Sequence, residues 1–263
     1  MIPSLCVIFF SVLTLNRNPY WQDGIELWKA SVKVTPYSNR SHHNLGIEYL
    51  KKERYGEAEE EFKEAIRLKP DYYYAYACLG YLYHKKGDYG KAIECYRYSQ
   101  KLQPNLFITF YLSGNIYDDE GKIDEAIIEY QKALWLNPDF GMGHFRLGVL
   151  LDKKRFYSDA EAEYKRAIYL DHKIPEAHYN LGIIYGKQGN ALAVEEFRKA
   201  IKINPGYPEA HYNLAITYAA LMPPDLRLAR EHFDKARELG YNVDEGLVDT
   251  LLNFNDKDED KRP

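Results

Sequence analysis

Ala58, Ala92, Ala126 and Ala160 stand 34 residues apart, and Gly46, Gly80, Gly114, Gly148 and Gly182 keep the same interval twelve residues earlier in each unit. Prolines agree at Pro36, Pro70, Pro104 and Pro138, as do aromatics at Trp28, Phe62, Tyr96, Tyr130 and Tyr164 and small residues at Ser31, Ala65, Ser99, Ala133 and Ala167. A period of this length constrains the chain more than any other feature. Each unit is one supersecondary element too small to cover its own apolar face, so neighbouring units must stack to bury it.

Within a unit the apolar spacing is helical. Leu45, Tyr49 and Leu50, then Ala58, Phe62, Ala65 and Ile66, place one stripe on each of two short helices. Gly87-Asp88 and Gly121-Lys122 break the chain between the two helices, and Pro70, Pro104 and Pro138 forbid continuation past the second. Gly at the eighth place and Ala at the twentieth remove side chains where the paired helices cross, so that the aromatic at the twenty-fourth place fills the space left.

Leu45-Gly46 with Tyr49, Ala58 with Phe62, and Pro70 meet the pattern W-x2-L-G-x2-Y, A-x3-F, P. In these residues the chain resembles the tetratricopeptide repeat (TPR) family. The resemblance implies an all-α fold, a right-handed α-solenoid of tandem TPR helical hairpins. Six units follow: 39–72, 73–106, 107–140, 141–174, 175–207 and 208–241. His172 replaces the expected proline in the fourth. The fifth is one residue short, with Ala193, Phe197, Ala200 and Pro205 in phase. The sixth carries two extra residues around Met222-Pro223-Pro224, ahead of Ala229, Phe233 and Ala236.

Both ends of the stack differ from the units. Residues 17–38 form a half unit that supplies a second helix only. In 242–254, Val243, Leu247, Leu251 and Leu252 share one side, as in a capping helix, and 255–263 is a charged tail expected to be disordered. Residues 1–16 are mostly apolar; Met1–Leu15 as a helix would span about 22 Å of a hydrocarbon layer roughly 30 Å thick. We read this segment as a truncated membrane span whose beginning precedes Met1; a buried capping helix and a signal anchor are the alternatives. Leu15-Asn16-Arg17-Asn18, then Trp21, Asp23, Leu27 and Trp28, resembles the junction where polytopic lipid-phosphosugar-dependent glycosyltransferases pass into carboxy-terminal TPR units. That likeness implies repeats on the extracytoplasmic or luminal side of a membrane. Arg17 points the other way, to the cytoplasm, by the positive-inside tendency.

With 35 Lys and Arg against 39 Asp and Glu, the net charge of −4 supplies no excess of cations for a nucleic-acid backbone. A mean hydropathy of −0.54 excludes a chain lying mostly in a membrane. Cys6, Cys78 and Cys95 are too few for a disulfide framework and contain no C-x-x-C pair, so Cys78 and Cys95 read as packing residues. No H-E-x-x-H, P-loop, G-x-S-x-G or dinucleotide fingerprint is present, which predicts a non-enzyme without catalytic residues, metal or cofactor. His42, His144, His178 and His211 share the fourth place, too far apart to share a metal, and read as packing in the place usually held by Trp. Asn39-Arg40-Ser41 matches a glycosylation acceptor, but Ser38 or Asn39 as a helix cap is the simpler reading. Asp256, Asp258 and Asp260 alternate as in a calcium loop without its glycine or closing glutamate.

In this family the first helices line the concave groove, which points to the fifth, sixth and ninth places of each unit. The candidates for peptide binding are Asn44, Tyr81, Tyr111, Asn115, Phe145, Arg146, Tyr179, Asn180, Tyr212 and Asn213. Asn44, Asn180 and Asn213 at the sixth place resemble the asparagine ladder of the O-linked N-acetylglucosamine transferase superhelix, interrupted by Cys78, Leu112 and Arg146. An amide offers donor and acceptor to a backbone, and Tyr offers area with a polar tip. The carboxylate clamp of chaperone-binding members is not reproduced. The implied partner is a protein or extended peptide, not nucleic acid, with a membrane contact through residues 1–16.

Overall fold

A computed structural model describes residues 24–221 and 224–253. Residues 1–16, read from the sequence as a membrane span, the start of the half unit and the charged tail lie outside the described residues. Among these residues there are fourteen α-helices and no strand. In the half ending at Leu136, α1 (Gly24–Val34) precedes three hairpins: α2 (Asn39–Lys51) with α3 (Tyr55–Leu68), α4 (Tyr73–Lys85) with α5 (Tyr89–Leu102), and α6 (Phe107–Asp119) with α7 (Ile123–Leu136). In the half beginning at Asn137, the hairpins are α8 (Gly141–Lys153) with α9 (Tyr157–Leu170), α10 (Pro175–Lys187) with α11 (Leu192–Ile203), and α12 (Pro208–Ala220) with α13 (Leu226–Glu238), closed by α14 (Glu245–Asn253).

Each hairpin crosses where a side chain is missing. A Cβ on Gly46, Gly80, Gly114, Gly148 or Gly182 would come within 2.6–2.8 Å of the ring of Phe62, Tyr96, Tyr130, Tyr164 or Phe197 respectively. The backbones approach that closely because nothing stands between glycine and ring, and each ring is 0–1% exposed. In the last hairpin Ala215 takes the glycine's place against Phe233, and both are buried. Around the ring sit Ala58, Ala92, Ala126, Ala160, Ala193 and Ala229, and one turn later Ala65, Ser99, Ala133, Ala167, Ala200 and Ala236, all fully buried. Ser99 keeps its hydroxyl satisfied by donating to the Tyr73 carbonyl at 2.9 Å.

The turn between paired helices imposes its own condition. Gly87, Gly121 and Gly189 have φ of +77°, +73° and +67°, and the same place in the first and fourth repeats holds Glu53 at +58° and Arg155 at +65°. Those two side chains bear the left-handed strain that glycine avoids. Between repeats, Tyr83 of α4 donates to Glu59 of α3 at 2.9 Å while Lys86 donates to its other oxygen at 2.8 Å. Burial opposes ionisation of Glu59, but the hydrogen bonds from Lys63, Lys86 and Tyr83 hold its pKa down to about 2. Tyr185 repeats the contact, donating to Glu161 at 3.5 Å.

At the end of the chain α14 packs on α12 and α13, with Val248 and Leu252 buried. Leu247, expected on the inner face, is instead exposed, because the helix starts at Glu245 and its phase turns Val248 inward. Asp225 caps α13 and Ser38 caps α2, its hydroxyl accepting from the Ser41 amide at 3.2 Å.

Two substitutions test this construction by urea unfolding. Gly114→Val should lower stability by about 1–3 kcal/mol, since Tyr130 has no free volume to yield. Arg155→Gly should raise it by about 1 kcal/mol through release of left-handed strain.

Candidate functional site

The fifth-place residues of the first helices rest on the crossing rings. His43 lies 6.0 Å from Phe62 and 5.2 Å from Tyr72, and Tyr111 lies 5.7 Å from Tyr130. In the carboxy-terminal half, Tyr179 lies 5.9 Å from Phe197 and 5.0 Å from Tyr207, and Tyr212 lies 5.7 Å from Phe233 and 4.8 Å from Tyr241. Phe145 follows suit at 6.1 Å from Tyr164, but at 8% exposure it belongs to the core and offers a ligand almost no surface. Its neighbour Arg146 is exposed, with its guanidinium 6.0 Å from the Phe145 ring.

The asparagines are tied to these rings. Asn180 donates to the Tyr164 hydroxyl at 3.3 Å, and Asn213 donates to the Tyr179 hydroxyl at 3.1 Å and to the Glu209 carbonyl at 2.9 Å. Asn115 accepts from Tyr130 at 2.8 Å. Asn213 therefore spends its N–H groups within the protein, and its carbonyl oxygen is the atom suited to a ligand's N–H. Asn44 sits beside His43, whose pKa is lowered chiefly by burial, with the Asn44 hydrogen bond opposing. Tyr81 is half-buried, with the Lys85 ammonium 5.6 Å from its ring.

Beside Asn213 a cavity of about 780 Å³ opens between α10 and α12. Ile183, Phe197, Ile216, Ala220 and Leu221 make its walls apolar, Asn213 and Thr217 line one side, and Lys187 and Asn190 stand in the α10–α11 region. Gly186 contributes to its width, since a Cβ there would meet nothing within 4 Å.

The fourth-place histidines pack as expected but also make a recurring histidine–glutamate contact that the sequence analysis did not identify. His42 Nδ1 meets Glu61 at 2.6 Å and its Nε2 meets the Pro36 carbonyl at 3.0 Å; His144 does the same with Glu163 at 2.6 Å and Pro138 at 2.9 Å. His178 meets Glu196 at 2.6 Å. Both partners of His144 are acceptors, so a ring carrying both protons satisfies both. Burial pulls the His144 pKa down, but Glu163 and the Pro138 carbonyl outweigh it and raise it above 6.5. The signal was present in the sequence: Glu61, Glu163 and Glu196 share the twenty-third place of the repeats whose fourth place is histidine.

Cys78 Sγ lies 3.5 Å from His43 Nε2, and burial pushes the Cys78 and Cys95 thiols up to about 12, which suits packing residues rather than nucleophiles. Among the described residues no group of three His, Cys, Asp or Glu side chains is arranged to hold a metal ion. No described helix is long and apolar enough to cross a membrane.

A family model described as "TPR repeat" matches residues 46–87, 114–154, 157–189 and 190–221, and a second, "Tetratricopeptide repeat", matches 73–106. The chain belongs to the tetratricopeptide repeat family. Among solved structures it is similar to MamA, at 29% identity over 61% of this chain and 94% of that one, with a TM-score of 0.55. It shares its fold with YrrB, described as a TPR protein with an unusual peptide-binding site, at 24% identity over 76% of this chain and 99% of that one, with a TM-score of 0.61. It also shares its fold with PilF of Pseudomonas aeruginosa, at 16% identity, 85% and 97% coverage and a TM-score of 0.65. No curated protein matches the chain. These neighbours place the all-helical chain in the α-solenoid class of tandem TPR hairpins.

Two measurements check the polar contacts. Tyr96 carries the one buried side-chain polar atom without a partner among the described residues, whereas Tyr130 is bonded to Asn115. Tyr96→Phe should therefore raise stability by about 1 kcal/mol and Tyr130→Phe should lower it by a similar amount, about 1 kcal/mol. For His144 the raised folded-state pKa means that its ion pair contributes fully below pH 6.5 and fades as pH rises through the raised value. The stability difference between the natural chain and His144→Phe, the residue type at Phe110 in the third repeat, should shift against the natural chain between pH 6 and pH 8.5.

Proposed function

We propose that this chain is a non-catalytic scaffold that takes an extended peptide segment of a partner protein along its first helices. The observation that carries this reading is the apolar cavity between α10 and α12, edged by Thr217 and by Asn213, whose amide is held by the Tyr179 hydroxyl. An apolar side chain of the peptide enters the cavity, while its backbone N–H meets the Asn213 carbonyl oxygen. Membership of a family whose repeats bind proteins and peptides supports the same reading. Arg146 and Asn180 extend the row within the same half, and Tyr81, Tyr111 and Asn115 form a comparable set within the amino-terminal half.

A second reading rests on the Leu15–Trp28 junction. In it, residues 1–16 hold the repeats at a membrane on the extracytoplasmic or luminal side, and the chain is the substrate-recruiting TPR region of a membrane glycosyltransferase. A reporter fused to the carboxy terminus decides the sidedness: cytoplasmic signal removes that placement.

Peptides selected from a random displayed library against the full chain test the first reading. Ile216→Arg, which fills the cavity with a charged chain, should weaken the selected peptides at least about tenfold. Arg227→Ala, on the exposed face of α13, should leave them unchanged. Equal binding by the Ile216 variant would remove the cavity from the site.

A further inference from the structure

In the last repeat the histidine column changes its chemistry. Where Glu61, Glu163 and Glu196 oppose the fourth-place histidine in other repeats, His232 opposes His211, with the two Nδ1 atoms 2.9 Å apart and the ring centroids 5.1 Å apart. His211 Nε2 lies 3.3 Å from the Pro205 carbonyl, which can only accept. That bond places the proton of a neutral His211 on Nε2 and leaves Nδ1 as an acceptor, so His232 donates from its own Nδ1. One added proton can be shared across the contact. A second puts N–H against N–H and two positive charges at hydrogen-bond distance, and the contact is lost.

The surroundings offer limited compensation. From α11, Arg198 acts on His232; from α12, Tyr218 stacks on the His232 ring at 5.8 Å and 11°; from α13, Lys235 lines the pocket together with the carboxylates of Glu231, Asp234 and Glu238. The α14 helix meets α13 through the separate Arg237–Glu245 pair at 2.7 Å. The Tyr218 face and Glu231 favour a cation, and Arg198 and Lys235 oppose it. Burial lowers the His211 pKa against the opposing pull of the Pro205 carbonyl, with the Lys235 charge adding to the lowering, and burial followed by the His211 charge lowers that of His232.

We propose that the His211–His232 contact is an acid-released latch, holding α13 on α12 while at most one of the two rings is protonated and freeing it when both are. Its sign is opposite to that of the His144–Glu163 pair, which holds best when its ring is charged. The folded-state pKa values lie below 6.5, so the latch stabilises the hairpin above that value and fails as pH falls beneath it. Release unseats Tyr212, whose ring rests on Phe233 of α13 and on Tyr241. Acid would thus alter the end of the candidate binding row while leaving the earlier repeats in place.

Amide hydrogen exchange of the full chain at pH 7.5 and pH 5.0, expressed as protection factors, tests the proposal. Protection in α13 should fall at least about tenfold more than in α7, whose repeat has Phe110 where other repeats place the histidine and so carries no His–Glu pair of its own. His232→Glu restores the pairing used by the other repeats and should abolish the excess fall. His211→Tyr places at the fourth position the residue type that Tyr76 already occupies in the second repeat, and should also remove the pH dependence. Parallel changes in α13 and α7 in the natural chain, or an undiminished excess fall in either variant, would overturn the latch.

Discussion

The close approach of two helix backbones, over a glycine on one and under an aromatic ring on the other, is the contact on which the first five repeats depend, with Ala215 standing in for the glycine in the sixth. Because the Cβ is absent at Gly46, Gly80, Gly114, Gly148 and Gly182, the ring of the second helix lies directly against the first, and the alanines around it are drawn to full burial. The crossing fixes which face of the first helix turns away from its partner. The fifth place borders both regions, since Tyr111, Tyr179 and Tyr212 rest on the crossing rings and Phe145 is buried against Tyr164. The candidate row is therefore partly built into the packing.

The columns of this crossing were legible in the sequence because the same contact recurs with the same residue types at a constant interval. The helix ends followed from the turn glycines and the prolines. What was not legible was chemistry that changes from one repeat to the next. Glu61, Glu163 and Glu196 look like exposed helix carboxylates, and only the fold reveals that each receives a histidine nearly twenty residues earlier. Glu53 and Arg155 hid the left-handed turn because neither is the glycine or asparagine that marks such a turn in a sequence. Leu247 and Val248 exchanged places because a nine-residue helix has too few turns for its phase to be read from spacing alone.

The same distinction runs through the candidate site. Aromatic and amide side chains at the fifth and sixth places were visible as a row, but their commitments were not. Tyr179, Asn213, Asn180 and Tyr164 spend part of their hydrogen-bonding capacity on one another, which holds them in fixed orientations. Phe145 is drawn into the core because its ring continues the stack begun by Tyr164. Gly186, which has no counterpart in the repeat pattern, borders the cavity and leaves its wall bare of a side chain there. A rigid row beside an apolar recess is preorganised for an extended segment, because little side-chain entropy remains to be lost on binding.

Isoleucine happens to mark both helix types, with Ile183 and Ile216 at the ninth place of first helices and Ile168 and Ile201 at the twenty-eighth place of second helices. Methyl NMR of the full chain during titration with a selected peptide therefore asks directly which face is used. If the account holds, the Ile183 and Ile216 methyl signals move and those of Ile168 and Ile201 stay; the reverse pattern would contradict it.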